Sequence, residues 1–535
     1  LKRKRFLSGG EAIFQRSQFE MLTNIRRLTQ ALFLLIFLWL FLQTESRGAN
    51  ELGYPVKVFL EADPLVYITT VLSTRQFYTP FLLALLVLLT TVLLGRVFCG
   101  WICPLGTLHN MAGSLKKKRL SAKPYNLYHW KYIILIFLLI SSAFTLQLSG
   151  LLDPLSLLIR SFSLALYPLI QYATVSVFDT VYAWHLPVIT DLSEFIYGLL
   201  KKILLPFQQP FFNQAGFTGL VFFGILALNL LEQRFWCKYL CPLGALLGLC
   251  SRYAILNRSV SEGCDGCGVC RRACQGGAAP DLKEKWLKSE CMACMNCDDL
   301  CPQNAVRFGF TRKPVGAALD LGKRRVIGSI FAGMIAVPLL RISPLKKAGA
   351  SEPKLIRPPG SLDEKEFLKR CIKCGECMKV CITNGLQPAL LEADLEGIWS
   401  PVLIPRIGYC EYRCTLCGQV CPTGAIRKLT VEEKAKVRIG LAMIDKGRCL
   451  PFAHATPCIV CEEVCPTPQK AIWFETLRVK NRVGQELSLK QPHVDLELCI
   501  GCGICEAKCP VLGQPAITVT SIGESRSKDN QLLLP

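Results

Sequence analysis

The sequence predicts a two-part architecture: a membrane α-helical bundle of four helices in two repeats, extended by a fifth linking helix, and joined to small α+β modules rich in cysteine. Three observations predict it. The 535 residues are 51% hydrophobic with a mean hydropathy of +0.34, too apolar for an ordinary soluble protein. The apolar runs are confined to the first 250 residues and to 326–340. The 29 cysteines recur at short, regular spacings that a disulfide scaffold does not need, which reads as metal ligation. The expected domains are 1–258, the helical membrane part; 259–316, a first cysteine module; 317–361, the linking helix and a loose linker; and 362–535, a second cysteine domain.

Residues 1–27 are rich in Lys and Arg and precede the apolar run Leu28–Leu42, a first helix with a basic cytoplasmic flank. Helix Tyr78–Phe98 follows, and after it come Lys116, Lys117, Lys118, Arg119 and Lys123 with no acid. Helices Tyr132–Leu148 and Phe217–Leu231 continue the alternation. The charge asymmetry places Cys99, Cys103, Cys237 and Cys241 on the cytoplasmic side. The stretch 155–178, interrupted by Arg160 and Pro168, is expected to lie with Glu194–Phe207 at the outer interface, because a single crossing there would separate the two cysteine pairs.

Each half reads Asp-Pro-Leu (from Asp63 or Asp153), apolar run, then Arg-x-x-Cys-x-x-x-Cys-Pro-Leu-Gly (Arg96 to Gly106, Arg234 to Gly244), so a two-helix unit is used twice. Residues four apart share a helix face, so both thiols of each pair can point to one centre. Pro104 and Pro242 suit the first position of a following helix. Convergence of Cys99, Cys103, Cys237 and Cys241 predicts a shared cluster. A mononuclear metal such as copper and two packed or redox-active thiol pairs are the alternatives. Cys250 reads as a buried spare thiol.

The next cysteines fall in six quartets. Cys264, Cys267, Cys270 and Cys274, then Cys291, Cys294, Cys297 and Cys301, have the bacterial ferredoxin spacing, in which the last cysteine of each run ligates the other cluster. That assigns Cys264, Cys267, Cys270 and Cys301 to one [4Fe–4S] cluster and Cys291, Cys294, Cys297 and Cys274 to a second. Zinc sites do not follow this pattern. Lys323-Arg324-Arg325 then opens an apolar run to Leu340. A spanning helix there would carry all that follows to the periplasmic side, and its opening looks like an internalised twin-arginine signal. Four further quartets are Cys371, Cys374, Cys377 and Cys381; Cys410, Cys414, Cys417 and Cys421; Cys449, Cys458, Cys461 and Cys465; and Cys499, Cys502, Cys505 and Cys509. The basic residues among them read mostly as solvated surface.

The formal charge of +22 suggests nucleic acid until cofactors are counted. A cubane held by four thiolates carries about −2, so six clusters and a seventh at the membrane cysteines leave about +8, and no nucleic-acid partner is expected. Without Cys-x-x-Cys-His there is no haem c, and no histidine lies deep in an apolar run.

At these motifs the chain resembles known proteins. Residues 28–310, with doubled Cys-x-x-x-Cys-Pro and two quartets, look like the NapH-type membrane quinol dehydrogenases, related to NosR and CcoG. Residues 320–520, with the arginine-led helix, Cys371-Ile-Lys-Cys374-Gly-Glu-Cys377 and Thr456-Pro457-Cys458-Ile-Val-Cys461, look like the NapG/MauM-type four-cluster ferredoxins. The resemblance implies a fusion of two usually separate polypeptides in a bacterial cytoplasmic membrane. It also implies that the first quartet of the second domain pairs with the last and the second with the third, so that Cys381 serves the Cys499 site and Cys509 the Cys371 site.

The expected function is iron–sulfur electron transfer between the quinone pool and a redox partner, such as a periplasmic acceptor or donor. Quinone chemistry moves protons as well as electrons, and Arg96, His109, Arg234, Asp63 and Asp153 are the candidate groups beside it. Arg96 and Arg234 can equally anchor the topology, and Asp63 and Asp153 can simply cap turns before proline. Two other functions fit: a wiring subunit within a larger complex, and a metal-handling or assembly factor.

Overall fold

The computed structural model describes residues 9–46, 48, 50–114, 127–184, 187–203, 209–278, 286–311, 321–341, 354–480, 486–527 and 530–531. Lys2–Arg5, the Lys116–Lys123 cluster and His185 lie outside them.

The helical domain begins with α1 (Gly9–Gln43), α2 (Pro64–Thr74), α3 (Leu82–Leu94), α4 (Pro104–Ser114) and α5 (His129–Ala143). It continues through α6 (Pro154–Ser161), α7 (Tyr167–Ala183), α8 (Pro187–Ile203), α9 (Ala215–Ala227), α10 (Phe235–Tyr239) and α11 (Pro242–Ser251). Both Asp-Pro-Leu sites start helices: Asp63 caps α2 and Asp153 caps α6, each with proline at the first position. Pro104 and Pro242 likewise open α4 and α11. Helices α3 and α5 are shorter than the apolar runs that contain them: the chain takes positive φ at Gly95 (83°), directly after α3, and at Thr145 (66°), just past α5.

The stretch expected at the outer interface is different. Arg160 and Pro168 do not break it: α6 passes through a π-type turn, Phe162–Leu166, straight into α7. Every residue of α6 is buried, so this half of the stretch is domain core rather than an amphipathic surface helix. The chain leaves the face where α6 lies and comes back to it at Phe211, whose carbonyl accepts from Asn384 Nδ2 (2.6 Å) and Gln387 Nε2 (2.9 Å). The segment therefore returns to its starting face before α9 runs to Cys237.

Helix α12 (Lys323–Arg341) runs beside α5 in the same direction. Arg325 lies near His129 at one end, and Arg341 donates to the Thr145 carbonyl at the other (3.0 Å). Gly333 faces Ile140 and Phe137, while Ile327, Phe331, Ile335 and Leu339 are exposed at four-residue intervals. On α1, Leu28, Leu32, Leu35 and Trp39 are exposed in the same manner. Leu22–Gln43 and Pro154–Ala183 are long and apolar enough to cross a membrane.

The cysteine modules repeat one plan three times. Strand β1 (Leu256–Val260) pairs antiparallel with β2 (Val306–Phe310) and brackets Cys264 to Cys301. A bridge between Ser361 and Ile426 brackets Cys371 to Cys421, enclosing the pair β3 (Leu386–Pro388) and β4 (Pro401–Leu403). The last unit contains β5 (Leu441–Ile444), the hairpin of β6 (Ile472–Lys480) and β7 (Glu486–Val494), and β8 (Ile517–Thr520), with β5 paired to β8 around Cys449 to Cys509. Residues 362–535 are thus two tandem two-quartet units.

Candidate redox centres

The first membrane-type motif is a π-type turn, Phe98–Ile102, and the second is the short helix α10 that widens at its end. Cys103 N donates to Phe98 O and Cys241 N to Trp236 O, both 2.9 Å and both five residues back. Such π-type turns re-aim side chains at functional sites. The four thiols face one another: Cys103 feels Cys99 and Cys237, and Cys241 feels Cys237, Cys99 and Cys103. Cys241 Sγ also accepts from Gly244 N (3.3 Å). Cys250 stands apart and is half-buried rather than buried.

The two arginines cross over. Arg234 of the second repeat donates to the Cys99 carbonyl (3.2 Å) and to Asn110 Oδ1 (2.9 Å) of the first. Arg96 of the first repeat places Nη2 against Gly244 of the second, 2.7 Å from where a Cβ would stand. Both are fully buried, which sets aside a role as exposed topology anchors. His109 is fully buried too, contrary to its unremarkable place in the sequence, with Nδ1 2.7 Å from Asn229 Nδ2. Asp63 and Asp153 are brought together with each other, away from this group.

The helical domain carries one cysteine module on each of two faces. On the face of the membrane cysteines, the loop Cys291-Met-Ala-Cys294 inserts against the domain. Gly100 lies so close to the Met292 carbonyl that a Cβ would stand 2.2 Å from the oxygen. Trp101 Nε1 donates to Ala293 O (2.9 Å), and Arg26 Nη1 to Cys294 O (2.9 Å). Glu290 is buried between Lys131, Arg96 and Tyr132. On the other face, Cys371-Ile-Lys-Cys374 inserts in the same register. A Cβ on Gly150 would stand 1.7 Å from Ile372 O, and Arg160 Nη1 donates to Lys373 O (3.1 Å). Lys373 Nζ donates to Gln147 O (2.6 Å), and Lys379 Nζ to Thr44 O (2.7 Å).

These lysines are docking groups rather than solvated surface: Lys373 binds a carbonyl in the turn after α5, and Lys379 one just past the C-terminus of α1, where a cation is favoured. Burial pushes the Lys379 ammonium down to about 8, against the pull of Glu45 and Glu376. Thr44, just past α1, is eighteen residue steps from Arg26, a rise of about 27 Å, close to the hydrocarbon thickness of a bilayer.

The quartets group by shared cavities. Cys264, Cys267, Cys270 and Cys301 line one. Cys291 and Cys297 face Cys294 and Cys274. In the second domain Cys371, Cys374 and Cys377 face Cys421. Cys410, Cys414 and Cys417 line a cavity with Cys381. Cys449, Cys458 and Cys461 line one with Cys509, and Cys499, Cys502 and Cys505 one with Cys465.

This corrects the pairing that the resemblance implied, in which Cys381 served the Cys499 site and Cys509 the Cys371 site. Each antiparallel bracket closes around two consecutive quartets, so fourth cysteines are exchanged between neighbours. The two units meet where Cys410 N donates to Cys502 O (2.8 Å). The spatial order of sites is therefore first, second, fourth, third.

The donor sets fit iron–sulfur cubanes: four thiols at each quartet site, with backbone N–H groups on fourth-cysteine sulfurs, as from Ala278 to Cys274 and Ala305 to Cys301 (both 3.3 Å). Among the described residues no three His, Cys, Asp or Glu side chains converge closely enough for a single ion.

What the sequence reading missed are the partners of the loops: Gly100, Trp101, Lys131, Gly150, Arg160, Asn229 and Glu290. Gly100, between two cysteines, was the one visible hint.

Comparison with known proteins points to 4Fe-4S binding. A model described as a 4Fe-4S binding domain matches residues 76–122 and 214–261, and so contains each half of the membrane-type quartet. Another 4Fe-4S binding domain matches 492–512. The chain is similar to the putative electron transport protein YccM of Escherichia coli, 27% identical over 44% of this chain and 56% of that one. It is similar to the ferredoxin-type protein NapG of the same organism, 32% over 24% of this chain and 58% of that one, and to NapH of Haemophilus influenzae, 26% over 42% and 66%. The chain thus spans somewhat over half of each relative, and fits a fusion of NapH-like and NapG-like parts. No solved structure matches.

Proposed function

We propose that this chain is a membrane-bound iron–sulfur electron-transfer protein that links the quinone pool to a redox partner. The observation that carries this reading is the pair of cysteine loops docked in one register on opposite faces of an apolar helical domain whose own four cysteines lie beside one of them. Six [4Fe–4S] clusters in the quartets and a seventh at Cys99, Cys103, Cys237 and Cys241 would supply one-electron carriers along this line. Two matches to a 4Fe-4S binding domain on the membrane-type motifs support the seventh.

The outward rows of leucine, isoleucine and phenylalanine on α1 and α12 support insertion in a bilayer, since a soluble surface rarely exposes so continuous an apolar area. With α12 spanning, the two-quartet module is cytoplasmic and the four-quartet domain periplasmic. Arg96 and Arg234 offset the negative charge of the shared quartet. Oxidation of a quinol near His109 releases two electrons to the cysteine centres and two protons.

A second reading, a wiring subunit of a larger complex, is favoured by the exposed Trp473, Ile459 and Leu512 around the last cysteine site, where a partner chain can dock. Anaerobic addition of a menaquinol analogue to the purified chain, followed by absorbance and EPR, separates the two. Cluster reduction supports a quinone site in this polypeptide. If dithionite reduces the clusters while quinol does not, and added quinone does not reoxidise them, the quinone link fails.

A further inference from the structure

Asp63 and Asp153 occupy equivalent places in the two repeats and meet at the junction between them. Asp63 Oδ1 accepts from Leu65 N (2.7 Å) and Val66 N (3.3 Å), and Asp153 Oδ2 from Leu155 N (3.1 Å) and Ser156 N (2.8 Å). A helix cap needs only one oxygen, and asparagine or serine serves as well. Here both caps are acids, both are fully buried, and the second oxygens, Asp63 Oδ2 and Asp153 Oδ1, have no other donor. The two buried carboxyl groups interact with each other. Two adjacent carboxyl groups, both fully buried, do not both stay ionised, because like charges repel strongly where water is excluded, so the pair holds one proton.

The pair lies between redox centres. Helix α2 packs on α11, which begins just after Cys241, and α6 packs on α4, which begins just after Cys103. On the opposite side Gly150 and Arg160 touch the Ile372–Lys373 loop. Arg160 faces both Asp153 and Cys374. The other charges on neighbouring elements are engaged elsewhere: Lys57 and Glu61 face Glu376, His109 faces Asn229 and Arg234, Lys131 pairs with Glu290, and Lys373 binds the Gln147 carbonyl. On the helix Glu364–Arg370, Lys369 pairs with Glu366, and Arg370 binds Gln76.

We propose that the Asp63–Asp153 pair is a proton-binding site that takes up one proton when the neighbouring cluster is reduced and releases it on reoxidation. An electron entering the Cys371, Cys374, Cys377 and Cys421 site draws on the same Arg160 charge that stabilises the carboxylate. The shared-proton pair then accepts one proton from water and becomes two neutral carboxyls; oxidation reverses both changes. The electron comes from quinol, or from dithionite in the test. This inference rests on the cluster occupancy proposed above.

The test is redox-difference infrared spectroscopy in H2O and D2O on the full chain, with EPR-monitored redox titrations at several pH values. The expected result is a carboxyl C=O band that appears on reduction, shifts in D2O, and is lost in Asp63→Asn and Asp153→Asn, which keep the helix caps. One cluster midpoint should fall as pH rises in the wild type and become pH-independent in both variants. A wild type whose clusters reduce without a deuterium-sensitive carboxyl band, or with pH-independent midpoints, overturns the inference alone, whatever the variants do. Absence of iron and acid-labile sulfide from the wild type overturns the cluster reading beneath it.

Discussion

The two docked loops are the same device on two faces, and they differ in how charge is handled. In each, the carbonyl after the first cysteine closes on a glycine, Met292 on Gly100 and Ile372 on Gly150. In each, the next residue turns left-handed, Ala293 at φ 48° and Lys373 at φ 56°. On the face of the membrane cysteines, Lys131 and Arg96 are balanced by the buried carboxylate of Glu290. On the other face Arg160 and Lys373 donate to carbonyls, and Arg160 also lies over the Trp399 ring (4.3 Å) and faces Asp153. Glu376 lies nearby with neither oxygen given a donor, and burial pushes its carboxyl well above the usual range. The first face is an ion cluster closed on itself. The second leaves cations free to act on whatever negative charge the cysteines hold.

Removing the centre beside the first loop is the largest disturbance. Cys99→Ser with Cys237→Ser should lower iron by about four atoms per chain while the ferredoxin-type signals persist, measured by iron, sulfide and EPR. Unchanged iron would leave the two faces with no shared cluster. Next, Glu290→Gln should destabilise the first face by about 3–5 kcal/mol, because two buried cations lose their carboxylate. Arg160→Gln should cost the second face less, about 1–3 kcal/mol, since carbonyls lose a donor and Asp153 loses a facing charge but no buried cation is left unpaired. Proteolysis of each module against denaturant checks the ranking, and equal losses would erase the electrostatic contrast.

Gly100→Ala and Gly150→Ala should have matching effects of about 1–3 kcal/mol, as expected for overpacking, each read as slower electron delivery to its own module in stopped flow. A selective effect on one face would show that the common register is only superficial.

The smallest effect is on pH. Burial works to raise the Glu364 carboxyl, but Arg357 and Arg526 overcome it and hold it at about 2. The group's ordinary value is 4.5, so its contribution is complete above that pH and lost as pH falls toward 2. After screening of its exposed part this amounts to about 1–2 kcal/mol. Glu364→Gln should therefore weaken the second domain at pH 7 and make no difference near pH 2, as followed by cluster absorbance.

Features that depend on local chain chemistry were legible beforehand. Asp63 and Asp153 before proline were read as possible caps, and Pro104 and Pro242 as helix starts, because capping needs only neighbours in sequence. The cysteine spacings named the donor sets for the same reason. The exchange of Cys381 and Cys509 was misread because it depends on which strands close around which quartets. Arg96 crossing to Gly244, the burial of His109 and the contact between Asp63 and Asp153 arise where two repeats meet, and periodicity in one strand of sequence carries no information about that meeting. Gly150, in a polar turn after α5, gave no signal at all until Ile372 was placed against it.

The exchanged fourth cysteines also bear on assembly. A cubane at Cys264, Cys267, Cys270 and Cys301, which line one cavity, would tie the two ends of its module together as a covalent cross-link does, and so remove conformational freedom from the unfolded chain. Because Cys274 reaches the neighbouring site, the two ties interlock. Inserting the first cluster prepares the second, and oxidative loss of one frees a ligand-bearing strand of the other. Maturation and damage in this chain should therefore proceed in pairs of clusters, through three linked doublets rather than six independent sites.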